Sequence, residues 1–479
     1  MSRLRRSKRR AKRVWGAPCR VRIGASEASV TGLAGLAGVQ ELIVGLDMVG
    51  ALDAGIGRVK QRDRGVSGGQ LLMGMATAQL AGQDCLAGLD TRVRADAGSA
   101  LLTTAPVPPS TTAASIAGRF TPDRVAGIET GLGRVYRRWL AVGPASVRAA
   151  LVLRNPTIDL DASDVEVFGR TKRNVGWTSA GGRAGRVHLA SWAQAELPLA
   201  DLLAGNDDVR PAAGQLLQRA LAVLPSQVCG RPRVRPDAGY FDAALAQAAD
   251  LLGCDFAVAA KRNSAAWRAC AAIQETDWKS ARGMPGGQVA ACDYAPAGWP
   301  AGSYTIVRRA KIDVERLSAD PRSRRRRTVA KDQLALALGG AADHVWATSF
   351  IVTNIPADSG DYVGLEAWFR NRTSIEERFR EAKLGAGVNH LPSADPTVNT
   401  VWMWAGLLAG ATSVMLQALT GPDPRTGGRT RIATLRHRLL AVPGRLIPHD
   451  RGLTLRLPPD RHQLLSTALA RLRALPATT

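Results

Sequence analysis

The spacing of apolar positions changes character along the 479-residue chain. Residues 25–150 are dominated by Ala, Leu and Gly, and their pattern predicts a mainly helical region. Within it, PPSTTAASIAGRF (108–120) reads as a turn followed by a helix. Ser110 or Thr111 stands at the cap position, and Ile116 and Phe120 share one face. A helix-turn-helix is one element that takes this form. The middle of the chain alternates instead. In TIDLDASDVEVFG (157–169), Ile158, Leu160 and Ala162 run out of phase with Asp159 and Asp161, which predicts a strand. RVHLASWA (186–193) and CDFAVAAKR (254–262) predict further strands, and FDAALAQAADLLG (241–253) a helix stopped by Gly253. Strands and helices mixed in this way indicate an α/β fold.

Residues 265–345 interrupt that pattern with short apolar stretches such as GSYTIVRRAKI (302–312), a basic loop RSRRRR (322–327), and several Gly and Pro residues. HVWATSFIVTN (344–354) then returns to a strong strand, so the interval is expected to be a β-rich insertion in an α/β core. Beyond residue 425, RIATLRHRLLAVPGRL and RHQLLSTALARLRAL read as basic amphipathic helices. The uncharged run TVWMWAGLLAGATSVMLQAL is long enough to cross a bilayer. It is rich in Ala, Gly, Ser and Thr and stands between charged segments, so a buried helix is expected and no membrane partner.

Charge narrows the partner. Lys and Arg number 64 against 40 Asp and Glu, a formal net charge of +24. A field of that sign attracts polyanions, most simply nucleic acid. The first fourteen residues, MSRLRRSKRRAKRV, hold eight basic side chains and no acid. Arg5, Arg6, Arg9 and Arg10 are therefore candidate phosphate contacts in an arm that is disordered until bound. Six cysteines at 19, 85, 229, 254, 270 and 292 form no CxxC pair, which argues against a zinc site or a disulfide framework. A reducing, cytoplasmic setting fits them. The charged N-terminus lacks the apolar run of a secretory signal.

Three acids stand at distinctive places: Asp161 in the first predicted strand, Asp237 in RPRVRPDAGYFD after a short extended run, and Glu376 in FRNRTSIEERFREAKLG (369–385). Phosphodiester chemistry with two hard divalent cations needs two or three carboxylates delivered by different elements. In the last stretch Phe369, Arg372, Glu376 and Lys383 lie at offsets that return to one helical face. Asp159 shares strand parity with Asp161, so periodicity alone leaves both open. Glu377 points about 100° away from Glu376 and is expected to be solvated. Asp164 and Asp242 are expected to be structural or exposed.

The spacing F-x2-R-x3-E-x6-K resembles the Y-x2-R-x3-E-x6-K signature of bacterial insertion-sequence transposases with a DDE active site. IDLDASDVEVFGRTKRN, VRPDAGYFD and FIVTNIP with the helix after it resemble, in order, the three acid motifs of the insertion-sequence thirteen-eighty group. The resemblance runs loosely from about residue 30 to the C-terminal helices. It implies a ribonuclease-H-like catalytic core and a metal-binding catalytic triad of Asp161, Asp237 and Glu376 holding two Mg²⁺ or Mn²⁺ ions. It favours Asp161 over Asp159. Arg372 and Lys383 become contacts to transposon-end DNA, and Phe369 stands where the group has tyrosine, keeping the ring and losing the hydroxyl.

The implied function is metal-dependent cleavage at the ends of a transposon and strand transfer into target DNA. The implied partners are double-stranded DNA, as terminal inverted repeats and target, and a second copy of the chain in a homodimer on DNA at the bacterial nucleoid. A structure-selective nuclease and a catalytically decayed DNA-binding protein are the alternatives. The expected division is a basic arm (1–24), a helical DNA-binding region (25–150), the first part of the core (151–264), the insertion (265–345), the second part of the core (346–424) and C-terminal basic helices (425–479).

Overall fold

The computed structural model describes residues 23–476 except 61–64, 103–104, 153–154, 179–180, 206–207, 319, 321–322, 324, 357–360, 422–427 and 451. The basic arm, with Arg5, Arg6, Arg9 and Arg10, lies outside the described residues.

Thirteen strands occur among the described residues, in chain order β1 (Val30–Thr31), β2 (Thr157–Glu166), β3 (Gly176–Trp177), β4 (Arg183–Trp192), β5 (Leu197–Ala204), β6 (Arg233–Pro236), β7 (Asp255–Ala259), β8 (Lys279–Ser280), β9 (Gly287–Cys292), β10 (Tyr304–Asp313), β11 (His344–Thr353), β12 (Gly444–His449) and β13 (Gly452–Arg456). Ten of them form one mixed sheet in the order β3-β4-β2-β6-β7-β11-β10-β9-β8, with β5 also paired to β4. β2 runs antiparallel to β4 and parallel to β6, and β6 is parallel to β7. From β7 outward every neighbour is antiparallel. The fold is therefore α/β with a large mixed sheet. Residues 265–345, expected as a β-rich insertion, contribute β8, β9 and β10 to the edge of this same sheet, together with the helices Ser264–Ala271 and Lys331–Leu338.

Helices cover the sheet. Among the described residues between 36 and 152 the regular elements are all helices, as the apolar pattern predicts. The Ser110–Ala117 helix is capped from elsewhere: the Asp90 carboxylate accepts from the Ser110 N–H (3.2 Å), so neither Ser110 nor Thr111 supplies the cap. It packs on the Gly68–Leu80 and Pro396–Thr420 helices. The Pro122–Val142 helix that follows buries its middle against Met48–Ile56. Backbones meet there, because a Cβ on Gly127 would lie 2.4 Å from the Gly55 carbonyl oxygen.

The Pro396–Thr420 helix starts on the Asp395 side chain, which accepts from the Thr397 N–H (2.8 Å), and ends at Gly421 with φ 84°. Its length and apolarity would suit a membrane, but 83% of its most apolar window is buried among the other elements. Trp402, Met403 and Trp404 are all fully enclosed. At about 1.5–3 kcal/mol for each large apolar side chain taken out of water, this helix is a main source of cohesion. One contiguous apolar cluster runs from Leu33 through the strands to Leu472, so the N-terminal helices share a core with the sheet.

At the C-terminus the sequence expectation needs correction. RIATLRHRLLAVPGRL is helical only over residues 432–440, and the chain then forms the β12–β13 hairpin, which pairs with β1. Pro443, directly before β12, cannot supply the N–H a continuing helix needs. The second expected helix is present as Pro459–Arg473.

Candidate active site

The centre of the sheet brings two of the three acids together. β2 and β6 are in parallel register, with Thr157 opposite Arg233 and Leu160 opposite Pro236. Asp161 and Asp237 come one residue further on, the first within β2 and the second just past the end of β6, on adjacent strands whose axes run about 4.8 Å apart. Asp161 is half-buried in β2, and its Oδ1 accepts from the Ala162 N–H (2.8 Å). Asp237 leaves β6 and caps the short turn Ala238–Tyr240 by accepting from the Gly239 N–H (2.8 Å). Its carboxylate is thus held at the strand tip.

Glu376 comes from a different element. The chain from Tyr362 is helical to Gly385 but not uniformly: an α-helix (Tyr362–Arg370), one 3₁₀ turn (Asn371–Thr373), a second α-helix (Ser374–Arg380) and a π turn (Glu381–Gly385). The uniform helical face expected from the sequence is therefore broken at both ends of the Ser374–Arg380 segment. Glu376 lies exposed in that segment's first turn, which packs on β2.

Electrostatics tie the three acids to one place. Burial pushes the Asp161 carboxyl up to about 6, with the negative charges of Asp237 and Glu376 adding to the rise. The Ala162 N–H and the Arg372 guanidinium pull the other way. The charges of both other acids and of Arg372 thus reach Asp161. Among the described residues, no three acids, histidines or cysteines stand close enough to enclose a metal ion in this conformation.

Asp159 has a separate role. It is 1% exposed and forms a two-pronged ion pair with Arg235, its register partner on β6, at 2.6 Å (Nε to Oδ1) and 3.0 Å (Nη2 to Oδ2). Arg235 also donates to the Trp368 carbonyl and sits 5.2 Å over the Trp368 ring. Ser374 Oγ donates to Asp159 Oδ2 (3.4 Å). Burial raises the Asp159 carboxyl, and Arg235 offsets that rise. With both oxygens engaged, Asp159 fastens β2, β6 and the 362–380 segment together.

The two cations of the signature part company. Arg372 lies 5.6 Å over the ring of Phe369, which is itself buried. Lys383 turns back to the sheet and donates to Ser163 Oγ and the Asp164 carbonyl, both at 2.6 Å. Burial lowers the Lys383 ammonium, with Asp164, Glu166 and Asp161 opposing. Glu377 pairs with Arg380 (2.9 Å) and Arg431 (3.3 Å). Asp164 pairs with Arg186 (2.7 Å), and Asp242 caps the Ala243–Leu251 helix. The sequence reading passed over Arg235; its strand parity with Arg233 in RPRVRPD was visible, but its partner 76 residues earlier was not.

Comparison with known families follows the same line. The model of the transposase DDE domain, group 1, matches residues 146–477, more than half of the chain. The chain belongs to this family of DDE transposases. No curated protein matches it. Among solved structures, the cryo-EM structure of a piggyBac transposase synaptic complex with hairpin DNA is similar, at 10% identity and a TM-score of 0.36, over 92% of this chain and 81% of that one.

Proposed function

We propose that this DDE transposase cleaves DNA at transposon ends and joins the freed 3′ end to target DNA, with Asp161, Asp237 and Glu376 as the catalytic acids. The observation that carries the reading is the β2–β6 register that sets Asp161 beside Asp237, with Glu376 and Arg372 felt at the same carboxyl. The sheet supports a ribonuclease-H-like core: the five strands β2, β4, β5, β6 and β7 lie in the order β5-β4-β2-β6-β7, the first three antiparallel and the last two parallel to β2. The three motifs in order support the insertion-sequence thirteen-eighty group, with Phe369 in place of its tyrosine.

The donor set fits two Mg²⁺ or Mn²⁺ ions in kind: three carboxylates from three elements, one of them raised to about 6 by burial, with the charges of the other two adding to the rise. Bound there, such cations activate an attacking oxygen and stabilise a leaving one. The protein's own groups do the rest. The Asp159–Arg235 pair fixes the spacing of the two strands that carry Asp161 and Asp237. Arg372, propped on Phe369, meets a DNA phosphate beside the acids. Lys383 commits two of its three N–H donors to β2 and turns the third to the phosphate backbone. The N-terminal arm and the helices up to residue 150 hold terminal inverted repeats, and two copies assemble on DNA.

Asp161→Ala, Asp237→Ala and Glu376→Ala should each abolish end cleavage while leaving end binding in gel shifts nearly intact. Near-normal cleavage by any one removes that residue from the triad. Terminal inverted repeats flanking the gene distinguish a transposase from a nuclease of the same fold.

A further inference from the structure

Beside Asp237 a groove of about 390 Å³ opens over one face of β10 and β11. Its volume falls in the range of about 300–1,000 Å³ that takes small molecules or a nucleotide, too small for a duplex. Short side chains make part of the lining: Ala310 faces its register partner Ala347, Ser349 stands opposite Arg308, and Ala259 continues on β7 opposite Ile351; Met284 and Phe369 add apolar bulk. Three arginines, 262, 308 and 372, and the carboxylate residue Asp237 also line the groove.

The Arg308 anchor is unusual. Its Nη1 donates to Glu366 Oε1 (2.8 Å), and Glu366 is wholly buried. The same carboxylate also meets Arg370 at 3.3 Å, so one buried acid serves two cations and the local charge stays positive. Burying a carboxylate costs several kcal/mol, and an apolar side chain in its place stabilises as well or better. What Glu366 supplies is direction: a guanidinium fixed at one corner presents its remaining donors in a set plane. Arg262 is fixed comparably, donating through Nε and Nη2 to the Thr348 carbonyl (both 3.2 Å). Oriented guanidinium groups beside a lining of small and apolar side chains suit a sugar-phosphate backbone with its sugars and bases against the apolar part.

We infer that this groove holds the single DNA strand adjoining the scissile phosphate, with Arg262 and Arg308 on successive backbone phosphates and Glu366 as a positioning residue for Arg308. The inference rests on the transposase reading for the location of the scissile bond, and on the groove alone for nucleic-acid binding.

The test compares full-length protein on two probes, a blunt duplex of fixed sequence and the same duplex with a short oligothymidine tail, by fluorescence anisotropy over a salt series. Arg262→Ala, and the paired change Arg308→Gln with Glu366→Gln, which leaves Arg370 its bonds to the Arg282 and Gly283 carbonyls, should each lower the salt slope for the tailed probe by about 0.7, the value for one single-strand phosphate contact. The slope for the blunt probe should stay unchanged. An unchanged slope on the tailed probe, or an equal fall on both, overturns the groove. If the paired variant does not fold, Arg262→Ala decides alone. Metal-dependent nicking by the wild type, and its loss in Asp161→Asn, is scored separately. A slope change without nicking keeps the groove and removes the transposase reading, and nicking with unchanged slopes does the reverse.

Discussion

The carboxylate of Asp159 and the guanidinium of Arg235 close a two-pronged pair across β2 and β6, at 2.6 and 3.0 Å, two residues below the acids of the proposed triad. Removing one partner of such a buried pair leaves the other charged and unsolvated, at about 3–5 kcal/mol. Asp159→Asn should therefore lower the unfolding free energy by about that much, read by urea denaturation, yet retain metal-dependent cleavage below its melting point. Asp161→Asn should do the opposite, losing cleavage while staying at least as stable. Active Asp161→Asn with dead Asp159→Asn would move the first catalytic acid two residues along the strand.

The Asp161 carboxyl gives a pH prediction. Its folded-state value of about 6 lies above the ordinary 3.8, so between these values the folded protein holds a proton that the unfolded chain has released. Stability contributed by this group is complete below pH 4 and is lost as pH rises through about 6, on the order of 2–3 kcal/mol. Without divalent cations, wild type should be less stable at pH 7 than at pH 5 relative to Asp161→Asn. Asp201, also raised by burial, to about 7, adds the same slope to both proteins and cancels in the comparison.

Cation binding should reverse that penalty. At pH 7, Mg²⁺ or Mn²⁺ should raise the melting temperature of wild type, because a ligand that binds only the folded state stabilises it by mass action. In Asp161→Asn the rise should shrink or vanish. An equal rise in both proteins would place cation binding elsewhere.

Arg372 and Lys383 should separate by assay. Lys383→Ala removes two charge-assisted hydrogen bonds to β2 and should cost about 2–3 kcal/mol of stability. Arg372→Ala should leave the melting temperature nearly unchanged while lowering the salt slope of duplex binding by about 0.9. If Arg372→Ala changes neither binding nor cleavage, Arg372 is a surface cation stacked on Phe369.

Gly127→Ala tests the helix crossing under the N-terminal region. A methyl group there would meet the Gly55 carbonyl oxygen at 2.4 Å, and backbone has to move to admit it. A loss of about 1–3 kcal/mol or more is expected from overpacking of this kind. Gly410→Ala, with nothing near its Cβ position, is the control and should be neutral or slightly stabilising.

Much of this arrangement could be read from local pattern. Alternation in TIDLDASDVE marked β2, the apolar run of HVWATSFIVT marked β11, and Gly253, with φ 70°, ends its helix as expected. What escaped depends on partners distant in sequence. Asp159 and Asp161 have the same parity, and only the pairing with Arg235 from another strand distinguishes them. Lys383 fits the spacing of a single helical face, but the π turn, supported by Ser163 and Asp164, rotates it toward the sheet. β12 and β13 carry Pro448 and a basic pattern that reads no better as strand than as helix until β1 is there to pair. Periodicity reports which face of an element is buried; it carries no record of what buries it.

The antiparallel ladder between β7 and β11 joins Ala257 to Thr353, Val258 to Val352 and Ala259 to Ile351, and beyond it β10 takes up every residue of β11. Asp161, Asp237 and the groove are thus carried on one continuous sheet. A jaw that closes on its substrate would need that ladder to part. The third acid is the one this sheet does not carry: Glu376 rides on the broken helical segment, so its distance from the other two is set by packing and not by strand register.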